Sequence, residues 1–139
     1  MDEKSTIRDF IRNFDHCVMA TVTSEGLPEC AIIEFAETPD LEIIFDTSKE
    51  YRKYKNLQHP NVAFAIGSRD ANTGLQYEGV AKELSGEELD SAKKIFFSKC
   101  PGARKWETEP DTVYFKVTPK WMRYRSYNTD PPTIFEINI

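Results

Sequence analysis

A mainly β fold, a small antiparallel barrel with short helices on its outside, is what this sequence predicts. Three observations carry that reading. Six or seven short apolar or alternating runs follow one another at close spacing. Most are joined by tight polar turns, which suit antiparallel pairing, whereas a doubly wound sheet needs a helix between most strands. Helical periodicity is confined to short interruptions between these runs. With 139 residues the chain has room for one domain with a real core and not for two ordinary ones, so residues 1–139 read as a single domain.

Residues 4–14 place Ile7, Phe10, Ile11 and Phe14 at i, i+3, i+4 and i+7, one apolar helix face, with Ser5 or Thr6 as its cap. Residues 17–23 alternate, with Val18, Ala20 and Val22 on one face and Met19, Thr21 and Thr23 on the other. Ser24, Glu25 and Gly26 form a hairpin loop, and residues 27–35 return as a strand with Pro28 near its start, where a missing donor is tolerated. After a turn at 37–40, residues 41–45 form a buried strand. Thr47 then reads as an N-cap, and Glu50 completes a capping box. A helix of about ten residues is expected there, closing before His59-Pro60 because proline disfavours helix at the residue before it.

Residues 61–66 form the next strand and 68–74 a polar loop. Gly79, inside a strand over 75–84, predicts a bulge or a close approach by another backbone or a ligand. Residues 85–88 form a second capping box, with Leu84 and Leu89 as its hydrophobic staple. That helix runs to about Lys99 before Pro101-Gly102 and buries Leu89, Ala92 and Phe96. Residues 102–110 are a linker holding Trp106. Residues 112–118 alternate as a strand, Pro119 interrupts, 121–127 form another strand, and 133–139 pair as a last short one.

The charge balance narrows the function. The formal net charge is −5 and the isoelectric point about 5.1, which disfavours non-specific nucleic-acid binding and attraction to anionic membranes. No run approaches the roughly 20 apolar residues of a membrane span, and the early acids of the N-terminus do not read as a signal peptide. Three scattered cysteines without close pairing read as reduced thiols in a cytoplasmic protein. Cys17 and Cys30 are expected to be buried, while Cys100, before Pro101-Gly102, is the one placed to be exposed. His16 and His59 are far apart, which argues against a His-rich metal site or a Ser-His-Asp hydrolase and favours structural imidazoles.

The chemistry collects at residues 46–53. Thr47, Ser48, Tyr51, Arg52 and Lys53 gather hydroxyls and two cations at a predicted helix start, beside free backbone N–H groups. Arginine grips phosphate oxygens bidentately, so the group reads as a phosphate site. Lys49, Arg52, Lys53 and Lys55 also read as a solvated helix face, and spacing alone does not separate the two.

Asp46-Thr47, Tyr51-Arg52-Lys53, Asn56-Leu57 and His59-Pro60-Asn61-Val62, following an apolar strand, resemble the flavin-binding segment of the pyridoxamine 5'-phosphate oxidase-like split barrels. The order of elements agrees over most of the chain. The resemblance implies a split barrel with FMN as cofactor, a homodimer with two FMN molecules at its interface, and redox chemistry with a small-molecule electron donor or acceptor. It implies that Thr47, Tyr51, Arg52 and Lys53 hold the FMN phosphate beside Asp46. The ring would then lie against Ile32, Ile33 and Glu34 and against 75–77. Some members use a Gln five residues before the strand glycine. Here Gly74 stands there and Gln76 follows, so Gln76 is the candidate. The cofactor does the chemistry, so no catalytic acid or base is named. True pyridoxamine phosphate oxidase activity is not expected. Those enzymes carry an Arg-x-His pair near the C-terminus, and residues 121–139 contain no His. They also carry basic residues where this chain has Glu29 and Glu34.

Two other readings stand beside this one. The same barrel would bind haem, a deazaflavin or another ligand without catalysis, haem needing His16, His59, a Met or a Cys as axial ligand. A nucleic-acid-binding barrel would use Arg123, Tyr124 and Arg125 as a basic and aromatic strand face. The acidic charge balance opposes that, and the alternation favours aromatics inward and arginines outward.

Overall fold

Alternation along the strands turns one face of each inward, and the resulting sheet curls around that face. The structure, a computed structural model, describes residues 2–139. In chain order the elements are α1 (Glu3–Ile11), β1 (His16–Val22), β2 (Pro28–Glu34), β3 (Ala36–Glu37), β4 (Ile43–Ser48), α2 (Arg52–Asn56), β5 (Asn61–Ser68) and β6 (Thr73–Glu83). There follow α3 (Gly86–Lys99), a 3-10 helix (Pro101–Trp106), β7 (Thr112–Ser126) and β8 (Thr133–Asn138). All pairings are antiparallel, in the order β2-β1-β5-β6-β7-β4-β3, with β8 also on β7. The chain passes from β2 into β3 through the buried Phe35, so the two ends of the sheet come together. There β2 touches β4 without pairing. This is the predicted mainly β split barrel with flanking short helices, and the unpaired β2–β4 seam is its split.

Two cores hold it. The interior takes Met19, Phe45, Phe64, Tyr77, Phe115 and Met122, and α1 closes one end with Ile7 and Ile11. The Tyr77 hydroxyl donates to the carbonyl oxygens of Leu41 at 2.7 Å and Val117 at 3.2 Å, so its burial leaves no unpaired donor. Outside the sheet, α3 lays Ala92, Phe96 and Phe97 over Ile44, Tyr114 and Leu84, with Leu89 packed alongside.

Tertiary pairing overrules several sequence expectations. Thr47 is not a helix cap. It pairs with Val113, and Ser48 with Thr112, so β4 continues through the predicted capping box. Only five residues of helix follow, beginning at Arg52 without a side-chain cap. At α1 the cap is Asp2, whose carboxylate accepts from the Ser5 N–H at 2.8 Å, rather than Ser5 or Thr6. Ser85 stands at the α3 cap without a capping bond. Glu88, expected to reach back to it, instead pairs with Lys82 at 2.7 Å and Lys116 at 2.8 Å, since charge-assisted bonds outweigh one to a neutral N–H.

Pro119 does not end a strand. It lies within the 15-residue β7, opposite Gly79 at a register shift. On the other edge, β4 pairing stops at Val117 and β8 pairing starts at Trp121, so the missing proline donor falls in a gap. The predicted bulge at Gly79 is present, and a Cβ there would meet the Thr118 carbonyl oxygen at 2.5 Å. The expected linker after residue 101 is largely 3-10 helix. Two cysteines are also reversed: Cys30 faces outward on β2, and Cys100 is buried, its Sγ 3.4 Å from the Phe35 carbonyl oxygen.

Candidate functional site

A cleft of about 300 Å³ opens at the seam between β2 and β4. β2 brings Ile32, Ile33 and Glu34 to it, β4 brings Asp46, Thr47 and Ser48, and the turn into α2 brings Tyr51 and Lys53. A second cleft, of about 620 Å³, shares Tyr51 and Lys53 and adds Glu29 and Arg52. The predicted residues on 32–34 and 46–53 are thus brought together, although they come from opposite ends of the sheet. Gln76 is not among them. It lies on the outer face of β6 between Ala65 and Arg123, in a different cavity.

Thr47 is buried, and its hydroxyl has no hydrogen-bond partner in the protein. Leaving such a group unsatisfied costs about 1–3 kcal/mol. Tyr114, cross-strand from Asp46, carries the other such hydroxyl among the described residues. Asp46 is pushed up to about 6, first by burial and then by the Glu34 carboxylate, against the pull of Lys53. Burial lowers Lys53, which Asp46 partly offsets. Its ammonium lies 5.0 Å from the centre of the Tyr51 ring.

Arg52 departs from expectation. Its guanidinium forms an ion pair with Glu29, and the arginine side chain is 84% exposed. Glu29 also accepts from the Asn56 amide at 2.6 Å, and Asn56 donates to Thr21 at 3.1 Å. The acids in the second strand therefore sit inside the cation cluster. The helix-dipole contribution expected at Thr47 is absent, because α2 is one short turn that starts five residues later.

Three further residues reach the first cleft: His16, Trp106 and Thr112, the last paired with Ser48. His16 Nδ1 is 2.7 Å from the Asp15 carboxylate, which leaves Nε2 free of that bond. A signal for His16 was present in the chain. Counting outward from the loop at Ser24-Glu25-Gly26 places it opposite Glu34, as the register shows. Trp106 had no such signal, since only the packing of the 3-10 helix after α3 brings it to the seam.

The sequence profile of the pyridoxamine 5'-phosphate oxidase family matches residues 4–126. The chain belongs to this family. No curated protein matches the sequence. Among solved structures, a haem-binding protein from Mycobacterium smegmatis is similar with a TM-score of 0.87 at 18% identity, over 99% of this chain and 58% of that one. The chain thus spans little more than half of that relative's length. General Stress Protein 26 from Bacillus anthracis has a TM-score of 0.74 at 21% identity, covering 99% of this chain and 100% of its own. HutZ, the haem storage protein of Vibrio cholerae, has a TM-score of 0.65 at 16% identity, over 86% of this chain and 92% of its own. At these identities the likeness is one of fold. No described helix is long and apolar enough to cross a membrane.

Proposed function

We propose that this family member binds FMN by its phosphate at the β2–β4 seam and works as a flavin-dependent oxidoreductase, with a small-molecule electron donor or acceptor. The observation that carries the reading is the buried, unpartnered Thr47 hydroxyl in a cleft with Ser48, Tyr51 and Lys53. A phosphate oxygen would accept from it and remove its desolvation penalty. The two clefts that share Tyr51 and Lys53 lie within the size range of small-molecule sites. Glu34 and Asp46 oppose an anion, and the raised pKa of Asp46 lets it take a proton when one binds. Thr47, Ser48, Tyr51 and Lys53 would hold the phosphate, with Asp46 protonated beside them. Bound FMN would supply the electron transfer. Residues 2–139 then serve as one FMN-binding domain.

The working unit in this reading is a homodimer. Ile32, 74% exposed, and the exposed Val18, Val22 and Leu27 leave an apolar outer face on β1 and β2 and the turn between them. A two-fold copy would cover it.

Titration with FMN and with riboflavin, read by flavin fluorescence, tests the phosphate. FMN should bind at least tenfold more tightly, on the scale of one charge-assisted contact. Equal affinities would remove the reading. A second reading, haem binding, is favoured by His16, whose imidazole lines the same cleft. Haemin titration gives its signature: a sharp Soret band that His16→Ala abolishes.

A further inference from the structure

Arg52 and Lys53 leave the same turn and diverge. Lys53 lines both clefts at the seam, whereas Arg52 lines only the larger one. Glu29 on β2 draws Arg52 to that side, taking its guanidinium through Oε2. The other carboxylate oxygen, Oε1, accepts from the Asn56 amide at 2.6 Å. That amide also donates to the Thr21 hydroxyl at 3.1 Å, and both Asn56 and Thr21 are buried. The two ends of the ion pair are therefore anchored unequally. Glu29 is held on a buried polar pair and is 22% exposed, while the arginine is 84% exposed on a helix of five residues with no side-chain cap. When the pair opens, the carboxylate stays and the arginine moves.

We propose that Glu29 is a built-in competitor for the ligand's anion: Arg52 is held either by this carboxylate or by a phosphate, and Glu29 sets how tightly the seam takes a phosphate-bearing ligand. The proposal rests on the phosphate reading of the seam. A carboxylate and a phosphate offer oxygens of similar spacing to the same guanidinium fork, so one excludes the other. Lys53 stands outside this competition. It makes no ion pair among the described residues and lies over the Tyr51 ring.

Glu34, also on β2, separates competition from repulsion. It lines the smaller cleft and likewise makes no ion pair among the described residues. A carboxylate that only repels an anion leaves the contribution of Arg52 unchanged. A carboxylate that competes for Arg52 makes that contribution depend on it, and a double-mutant cycle reads the dependence.

The experiment is isothermal titration of the full chain with FMN and with pyrophosphate. The variants are Glu29→Gln, Glu34→Gln and Arg52→Ala, with Arg52→Ala also combined with each of the other two. Glu29→Gln keeps an oxygen for the Asn56 amide and removes the charge. It should tighten both ligands by roughly 3- to 10-fold, the scale of one partly exposed ion pair no longer opposing them. Arg52→Ala should then cost at least about threefold more affinity in the Glu29→Gln background than in the wild type. In the Glu34→Gln background it should cost the same as in the wild type. The proposal is overturned if Glu29→Gln binds pyrophosphate no more tightly than the wild type does. It is also overturned if Arg52→Ala costs the same in both backgrounds, which would make Glu29 a repelling charge only. Pyrophosphate binding with the expected dependence but no FMN binding would remove the flavin reading and keep the competition. FMN binding without the dependence would do the reverse.

Discussion

Thr47 pays a stability penalty that a ligand would lift, and a single substitution reads both effects. Thr47→Val keeps the β-branched shape that β4 wants and removes the orphaned hydroxyl. The free protein should melt a few degrees higher, because about 1–3 kcal/mol of unsatisfied polarity is gone, while FMN affinity falls. A lower melting temperature would show that the hydroxyl is satisfied within the protein. Asp46 gives a pH signature. Its folded pKa of about 6 lies above the ordinary 3.8, so the native state holds the proton more tightly than the unfolded chain. Its stabilising effect is full below pH 4, is lost as pH rises through 6, and stays lost above. Asp46→Asn should therefore match the wild type in melting temperature near pH 4 and exceed it increasingly up to about pH 7. Parallel curves would refute the assignment. Arg52 is tied to Glu29, so Arg52→Ala removes a cation and bares a carboxylate beside the cleft. FMN binding should weaken by roughly 10- to 150-fold, with under about 1 kcal/mol lost in stability because the arginine is exposed. Lys55→Ala, at an exposed position outside both clefts, should change FMN affinity much less.

At the level of elements, β7 is the strand the others depend on. It pairs with β6 from Phe115 to Ser126, with β4 over its first half and with β8 over its second. The bend that allows this sits where Gly79 faces Pro119. A methyl at Gly79 would press on the Thr118 carbonyl oxygen at 2.5 Å and Val117 Cγ1 at 2.7 Å. Backbone cannot give way there as a side chain can. Gly79→Ala should destabilise by about 1–3 kcal/mol in urea unfolding, and a midpoint within error of wild type would mean the strands can separate at the bulge. The Glu88–Lys82–Lys116 network ties α3 to the same region, and the two lysines hold Glu88 down to about 2. Across β7, Tyr124 faces the core and stacks on Phe135 at 5.0 Å, while the arginines on either side face outward.

For the whole molecule, the outward apolar face of β1 and β2 sets the expected assembly. Light scattering at micromolar concentration should give twice the 16.0 kDa chain mass. Ile32→Arg should shift it to the monomer without altering the circular dichroism, because the 74% exposed side chain packs on little within its own protomer. A wild-type monomer with FMN present would exclude the dimer. Past Val18 the same outer face continues onto β5, β6 and β7, where Arg69, Arg123 and Arg125 give it charge in place of apolar side chains.

Local pattern determined most of the fold by itself. Alternation gave the strands, and the i, i+3, i+4, i+7 face gave α1. The Gly79 bulge was legible because a glycine inside an alternating run weakens the strand and marks a bulge or a close approach of backbone. The cluster at 46–53 was legible too, since its residues are close in the chain and chemically alike. What the sequence could not decide was anything set by competition between distant partners. Whether Thr47 caps a helix or extends a strand depends on Val113, far along the chain, and the ladder won. Whether Arg52 is free depends on Glu29, and whether Cys30 or Cys100 is buried depends on which face the closed sheet and α3 cover. Gln76 stands in for the Gln that some family members carry at position 74, within the span 75–77 that the resemblance sets against the ring beside Tyr77. Period-2 alternation turns those two neighbours to opposite faces of β6, and only closure of the sheet shows that one face is the core and the other a separate cavity.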